Sequence, residues 1–526
     1  MPKVLIADDV VEECPRTLRE GGVEVDNKGK MKPDEVKAII GGYEGLVVRS
    51  AIKVTKEIID AGSRLKIIGR AGIGVDNIDV DAASRRGVIV MNAPLGNVTS
   101  AAEHAMALML ASARNVARAD AQVRSGKWER NKNVGVELEG KTLGIVGLGK
   151  IGAHVMRAAK ALGMRVLGFD PLLVKERAEV LGVELVEWDR LLKESDFITL
   201  HVPMTEKTRH MIGAAQLKMM KRSARIINAS RGGIIDEKAL ADALAAKTIA
   251  GAALDVFEVE PLAADSPLLK LDSVVLTPHL GASTEEAQVK VAVDIAHQFV
   301  AYFRTGLVRN AVNLNVADPS LSPYLKLSES LGAMAFQLAG GKPRDIEVTC
   351  AGAIGSFDTA AITGAAICGM LAGIVGSEVN IVNARIYARE TGLVVTENRR
   401  KDAGNYKSLL TVRVGTDEGN RSIAGTIFEG GQARIVAIDD FDIDIRPSRH
   451  MLMMLYPDVP GMVGKFGTVL GGGGINIARM EVGRDARGKQ AIVLVAVDDP
   501  VPPKLIEEIR ARIELKDIKG ILLPAE

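Results

Sequence analysis

Short apolar runs recur along the first 280 residues, and most are followed by a stretch whose apolar positions repeat at helical spacing. Val4–Ala7, Gly45–Val48, Leu65–Ile68 and Val88–Met91 read as strands, with amphipathic helices at Lys56–Ala61 and Asp79–Arg86 between them. A long Ala- and Met-rich helix is predicted over Ala101–Ala113, and a second series then begins. Its strands are Thr142–Val146, Arg165–Phe169, Phe197–His201, Ile226–Ala229, Gly251–Leu254 and Val274–Thr277, with a helix over Ile151–Leu162. Two series of alternating strand and helix predict two parallel sheets, each covered by helices on both faces.

Beyond residue 314 the rhythm changes, with Pro319, Pro323 and Pro343 near the junction. Lys326–Ala339 is helical, Asp345–Ala351 strand-like, and Val379–Arg389 a further strand and helix. Thr359–Ser377 is a nineteen-residue stretch without charge, and Gly369 and Gly373 stand at the spacing of a membrane helix-packing motif. It is poor in Leu, bounded by Asp358 and Glu378, and has no basic flank to orient it, so a buried helix of a water-soluble domain is expected. From Arg449 to the end the order is strand (Met451–Tyr456), turn (Asp458–Gly461), helix (Val463–Leu470), a four-glycine break, strands Ile475–Val482 and Gln490–Ala496, and helix Pro503–Arg512. Gly471–Gly474 follows a helix instead of opening one, which argues against a phosphate cradle there.

The strand Thr142–Val146 runs into Gly147, Gly149 and Gly152 at G-x-G-x-x-G spacing, and the next strand ends in Asp170, eighteen residues past Gly152. The first glycine permits the turn, the second lets backbone approach a pyrophosphate, and the third lets the helix pack close. The free N–H groups of the helix start then meet phosphate charge. A carboxylate at Asp170 accepts from ribose hydroxyls and repels a 2′-phosphate, which points to NAD over NADP.

Other strand ends carry polar groups to the same sheet edge: Val202-Pro203, Ser230-Arg231, Asp255 through Glu260, and Pro278-His279. Oxidation of a secondary alcohol by NAD needs a base for the hydroxyl proton, and an imidazole at His279 titrates in the right range. Glu260 can accept from its second ring nitrogen, and Arg231 can hold a carboxylate and polarise the adjacent carbon–oxygen bond. His201 is the competing base; His104, His154, His210, His297 and His450 lack a matching acid and arginine at neighbouring strand ends. In the first series, Arg49 and Arg70 stand at strand ends beside small residues, as suits a phosphate or carboxylate. Trp128, amid charges, reads as an anchor on a contact surface or as packing within its own domain.

Length and charge add limits. At 526 residues the chain is expected to hold three or four domains. Lys plus Arg number 67 against 66 Asp plus Glu, giving no electrostatic reason to expect nucleic acid or an acidic membrane. Cys14, Cys350 and Cys368 are scattered, so neither a disulfide framework nor a zinc site is indicated, and the cytoplasm is expected. The start of the chain reads as a first strand and lacks the features of a signal peptide.

Asn92-Ala-Pro94, the glycine turn, Ala229-Ser-Arg231-Gly-Gly, Gly251 through Pro261 and Pro278 through Thr284 resemble the signature blocks of the NAD-dependent D-2-hydroxyacid dehydrogenases. Val48-Arg49-Ser50, Gly69 through Asn77 and Gly126 through Arg130 resemble the long-form D-3-phosphoglycerate dehydrogenases within that family. The resemblance implies an α/β fold. A Rossmann cofactor domain (98–284) is inserted in a flavodoxin-like substrate domain (1–97 and 285–313), both doubly wound parallel sheets, with a hinge that closes the cleft between them. An α+β intervening domain (314–447), implicated in assembly and regulation, and a C-terminal ferredoxin-like ACT domain (448–526) follow. It implies Arg231, Glu260 and His279 as catalytic, and Gly147, Gly149, Lys150, Ile151, Gly152, Asp170, Val202, Ala229, Ser230, Asp255, Gly281 and Ala282 as the NAD site. Arg49, Ser50, Arg70, Gly74 and Asn97 would bind 3-phosphoglycerate, with Arg130 from a neighbouring subunit; Ile73 stands where some relatives have threonine. Tyr456, Asp458 and Asn476 would bind the effector L-serine in a homotetramer, although relatives often carry histidine or arginine at Tyr456 or Val459. No metal is implied. A glyoxylate or hydroxypyruvate reductase would need the same triad without both arginines, and an NADH-sensing corepressor would match only the first 315 residues.

Overall fold

The computed structural model describes residues 1–314, 321–375, 379–485 and 489–524, and these form four sheets. The chain divides into two compact units, Met1–Asn92 with Ile295–Glu526, and Ala93–Asp294.

The first sheet holds β1 (Lys3–Ile6), β2 (Glu24–Asn27), β3 (Gly45–Val48), β4 (Ile67–Arg70) and β5 (Ile89–Asn92), all parallel in the order β2-β1-β3-β4-β5. The central strands are buried because their residues are apolar on both faces, as a helix-covered sheet demands. Only β2, with sequence Glu-Val-Asp-Asn, escapes the apolar pattern, since it is an edge strand. The helix Glu285–Thr305 returns to this sheet through its second half. Phe299 fills the space over Gly45 and Gly69, where an added Cβ would lie 2.8 and 2.3 Å from its ring. Asn313 then accepts from Val90 N–H at 2.9 Å and donates to the Val88 carbonyl at 2.8 Å.

The second unit contains β6 (Thr142–Val146), β7 (Arg165–Phe169), β8 (Glu184–Leu185), β9 (Phe197–Leu200), β10 (Arg225–Asn228), β11 (Gly251–Leu254) and β12 (Val274–Leu276). The sheet is parallel in the order β12-β11-β10-β9-β6-β7-β8. Strand order reverses between β6 and β9, the point where open α/β sheets leave a crevice at their carboxyl ends.

The third sheet comprises β13 (Pro343–Gly352), β14 (Val394–Arg400), β15 (Ser408–Thr416), β16 (Asn420–Phe428), β17 (Gln432–Ile438) and β18 (Phe441–Ile445), in the order β14-β13-β15-β16-β17-β18. Helices Ser322–Ala339 and Ala360–Val375 pack together with it. A Cβ on Gly369 would lie 1.8 Å from the Glu329 carbonyl, and one on Gly332 would lie 2.1 Å from that of Ala366, so the two backbones touch through glycine. Ala361–Leu371 is buried all round, which explains the uncharged stretch as core. Among the described residues no helix is long and apolar enough to cross a membrane; Pro319, Ser377 and Glu378 lie outside them.

The strand expected from Val379 is instead a turn leading into the helix Ala384–Glu390. Its asparagines work as turn and interface groups: Asn383 Oδ1 accepts from Asn380 N–H at 2.7 Å, and Asn380 Nδ2 donates to the Gly87 carbonyl at 2.8 Å.

The last sheet is antiparallel, β19 (His450–Pro457), β20 (Ile477–Arg484), β21 (Gln490–Val497) and β22 (Asp517–Leu522) in the order β20-β21-β19-β22. Helices Met462–Gly472 and Pro503–Arg512 share a core with Leu452, Met454 and Tyr456, while Met451 and Met453 join the core of the third sheet. Both faces of β19 are therefore apolar, and each has its own cover.

Candidate active site

The glycine turn has the geometry its spacing predicts. Gly147 adopts φ +89°, and a Cβ there would stand 2.5 Å from the His201 carbonyl. Gly152, in the first turn of the helix Lys150–Ala161, lies against the turn itself, since a Cβ would sit 2.1 Å from Gly147 O. Gly149 has nothing within 4 Å of its Cβ position, and as N-cap it offers no side chain to the helix start. Lys150 and Ile151 open that helix, so their N–H groups lack intrahelical partners. Asp170, at the end of β7, accepts from Leu148 N–H at 2.9 Å and Leu172 N–H at 3.0 Å, which fixes its carboxylate beside the turn. An uncapped helix start with open space over the second glycine, flanked by an oriented carboxylate, fits the pyrophosphate and ribose of NAD.

At the ends of β10, β11 and β12 the reactive side chains are held by their own loops. Asn228, 2% exposed, accepts from Ser230 N–H at 3.1 Å and donates to the Arg231 carbonyl at 2.8 Å, shaping the turn Ala229–Arg231. Arg231 donates to the Ser230 carbonyl at 2.7 Å. Glu260 Oε2 lies 2.8 Å from His279 Nδ1, and its other oxygen accepts from Phe257 N–H at 3.1 Å. His279 adopts φ +54°, a left-handed conformation uncommon for a non-glycine residue. With Nδ1 engaged by Glu260, Nε2 is the nitrogen left for a substrate.

Asp255 is fully buried at the end of β11 and organises the His279 loop. Its carboxylate accepts from Thr277 Oγ1 at 2.6 Å, Leu280 N–H at 2.7 Å and Gly281 N–H at 2.8 Å. His104 Nε2, from the helix Val98–Ala113, is 3.0 Å from the same carboxylate. Burial would raise this carboxyl, but the His104, Thr277 and Leu280 hydrogen bonds outweigh it and hold Asp255 below the usual carboxylate range. The expectation that His104 lacks an acid and an arginine at neighbouring strand ends is corrected as to the acid, which lies 151 residues away in sequence. His210 Nε2 likewise lies 3.0 Å from Glu258 Oε1.

His201, the competing base, is 3.0 Å from Thr199 Oγ1, and desolvation pushes its imidazole down to about 4. A base so weak is a poor proton acceptor at neutral pH. Val202 and Ala282 are half-buried and Gly281 is buried beside Asp255.

In the first unit, Arg49 and Ser50 follow β3, Arg70 ends β4, and Gly74 lies in the loop after it. Two residues not singled out by sequence hold these loops. Asp8, 3% exposed, accepts from the N–H groups of Arg49 and Ala51, each at 3.0 Å. Asn77 Nδ2 donates to the Arg49 and Ile52 carbonyls, each at 2.7 Å. Gly72 has no room for a Cβ, which would lie 2.0 Å from Arg70 Nη1, so the guanidinium lies directly over the loop backbone. Replacing Asn77 by Ala removes two hydrogen bonds of about 1 kcal/mol each. An increase in the substrate KM of roughly tenfold, with kcat little changed, is the expected steady-state result.

Asn97, in the second unit, precedes the helix Val98–Ala113; it is 8% exposed and its Oδ1 has no hydrogen-bond partner, a buried acceptor left for a ligand. Arg130 is exposed, and near it Trp128 is 79% and Val134 78% exposed, so Trp128 does not pack on its own domain. The adjoining helix Val116–Arg124 buries no residue. Among the described residues no group of His, Cys, Asp and Glu could hold a metal ion.

The ACT residues are placed less uniformly. Tyr456 is 2% exposed and packs edge-on against Phe466 with ring centroids 4.9 Å apart, so it is a core group and not an open ligand. Asp458 is paired with Arg484 at 2.7 Å, and Asn476 donates to Asp498 at 2.6 Å at the surface.

Comparison with known proteins extends over nearly the whole chain. The chain is 46% identical to the D-3-phosphoglycerate dehydrogenase of Archaeoglobus fulgidus, over 96% of its length and 97% of that protein. It is 45% identical to that of Synechocystis, over 99% and 95%. The chain belongs to the D-3-phosphoglycerate dehydrogenase family. Three family models mark its parts: the NAD-binding domain of D-isomer-specific 2-hydroxyacid dehydrogenases at residues 106–281, the D-3-phosphoglycerate dehydrogenase intervening domain at 320–439, and the ACT domain at 450–514. A solved D-lactate dehydrogenase from Aquifex aeolicus, complexed with NAD and lactic acid, covers 59% of the chain and 98% of its own, at 29% identity and a TM-score of 0.52. With the intervening and ACT domains of the long form, the protein is an NAD-dependent 2-hydroxyacid oxidoreductase.

Proposed function

We propose that the protein oxidises 3-phospho-D-glycerate to 3-phosphooxypyruvate, opening L-serine synthesis, and that L-serine acts back on it through the ACT domain. The observation that carries the chemistry is the 2.8 Å pair between His279 and Glu260 at the strand ends that also present Arg231. Arg231 takes the carboxylate, with two parallel N–H donors matched to two oxygens. Arg49, Ser50, Arg70 and Gly74 take the phosphate, supported by the clamp of Asp8 and Asn77, and Asn97 offers a buried acceptor to a substrate hydroxyl. Arg130, on its exposed arm, is assigned to a neighbouring subunit's substrate.

When bound, NAD supplies the acceptor for the hydride leaving C2. The protein's part is the proton: His279 Nε2 removes it from the C2 hydroxyl, and Glu260 steadies the imidazolium that results. Asp255 and His104 hold the loop that aims the ring. Gly147 through Gly152, Asp170, Val202, Ala229, Ser230, Gly281 and Ala282 are assigned to the coenzyme.

The exposed Trp128, Val134, Val116 and Val123 support subunit contact in a homotetramer. Free, buried Cys14, Cys350 and Cys368 support a reducing compartment, the cytoplasm. For serine, Asp458 would meet the amino group and Asn476 the carboxylate, with Tyr456 behind them as a wall.

Initial rates of NADH formation on 3-phospho-D-glycerate, D-lactate, D-glycerate and D-2-hydroxyglutarate, with and without L-serine, test the proposal. The phosphorylated acid should give the highest kcat/KM, and serine should lower the rate. Equal turnover of an unphosphorylated acid overturns the substrate assignment, and a rate indifferent to serine overturns the effector.

A further inference from the structure

Between the loop that carries Arg231 and the loop that carries Glu260 lies a second imidazole–carboxylate pair. His210 sits at the junction. Its backbone N–H donates to the Gly233 carbonyl at 2.8 Å, two residues past Arg231, while its ring Nε2, buried and in no hydrogen bond among the described residues, lies at ion-pair distance, 3.0 Å, from Glu258 Oε1, two residues before Glu260. It holds this place in a left-handed conformation, φ +48°. The two loops also touch directly, because a Cβ on Gly232 would stand 1.8 Å from the Phe257 carbonyl.

Glu258 is tied in turn to Glu237 at the start of the helix Glu237–Ala245. Each of these glutamates accepts a hydrogen bond from the other's backbone N–H, with Glu237 N–H to Glu258 Oε1 at 3.1 Å. Burial, then the nearby charges of Glu258 and Glu260, push the Glu237 carboxyl above its usual range, against the pull of the Glu258 N–H and His210.

We propose that His210 and Glu258 are positioning residues for the reaction: their pair, anchored by Glu237, locks the Arg231 loop to the Glu260 loop and holds Glu260 in register with His279. The contact acts on the reaction through the placement of Glu260, without touching substrate. This inference rests on the assignment of Arg231, Glu260 and His279 as the reacting set.

The test compares His210→Asn, which keeps the left-handed backbone preference and a donor but cannot titrate, with His210→Gly and Glu258→Gln. Full-length enzymes of equal melting temperature and equal NADH affinity are assayed from pH 5.5 to 9.5, with His279→Ala alongside. The proposal expects His210→Gly and Glu258→Gln to lose roughly ten- to a hundredfold in kcat, as small misplacement of reacting groups does. KM should change little, a split that general destabilisation would not produce, and His210→Asn should recover much of the rate that His210→Gly loses. Wild-type kcat in His210→Gly and Glu258→Gln would overturn it. If those variants behave as wild type while His279→Ala is dead, only the positioning role falls; if His279→Ala is also active, the reacting set itself is wrong. Should His210→Gly fold poorly, Glu258→Gln decides the matter by its kcat at unchanged KM.

Discussion

His279→Ala is expected to lower kcat by at least ~10², the usual contribution of a positioned general base. NADH affinity should be retained, because the residue reaches no part of the glycine turn. The residue is held at two points: the ring Nδ1 by Glu260, and the backbone N–H by the Asp255 carbonyl at 2.8 Å. Removing it leaves Arg231 and the coenzyme site intact, so the loss should fall on turnover. Glu260→Gln should fall between the variant and the wild type, since an amide still accepts from Nδ1–H but no longer stabilises the imidazolium. Steady-state kinetics with NADH fluorescence titration separates the two effects; wild-type kcat in His279→Ala would remove the base from the scheme.

Gly152→Ala is expected to damage the coenzyme site. Its new methyl would lie 2.1 Å from the Gly147 carbonyl, and backbone on backbone cannot yield as a flexible side chain does. Either the helix Lys150–Ala161 moves away or the turn opens, and overpacking of this kind costs about 1–3 kcal/mol. Because the turn is where phosphate would sit, the strain should appear as a weaker NADH Kd by roughly 5- to 100-fold. Gly149→Ala is the control, with open space around its Cβ position in the protein alone. It should fold normally, so a lower melting temperature in Gly152→Ala but not Gly149→Ala is the expected pattern.

The parallel sheets were legible because their strands are buried on both faces, so each appears as an apolar run such as Leu143–Val146 or Ile226–Ile227. The edge strand Glu24–Asn27 was not, since one polar strand of four residues carries no such signal. The sheet of residues 394–445 went unread for a related reason: its strands alternate buried and open positions, as Ser408–Thr416 does, and period-two patterns are easily missed amid charges. The glycine turn, Asp170 and the Glu260–His279 pair were legible because chemistry and spacing agree there. Partners distant in sequence were not. His104 gives no sign of Asp255, because a helix packed on the sheet brings them together, nor Asp8 of Arg49, because that pairing is made by strand order in a sheet. At Tyr456 the resemblance marks the position, while the packing of its ring against Phe466 could not be read from the residue alone.

A crystal structure with NAD and 3-phospho-D-glycerate bound tests the central claim most directly. His279 Nε2 should lie about 2.6–3.2 Å from the C2 hydroxyl oxygen, with Arg231 forked onto the carboxylate. A substrate hydroxyl seated on His201 or His104, with His279 turned away in the closed complex, would contradict it.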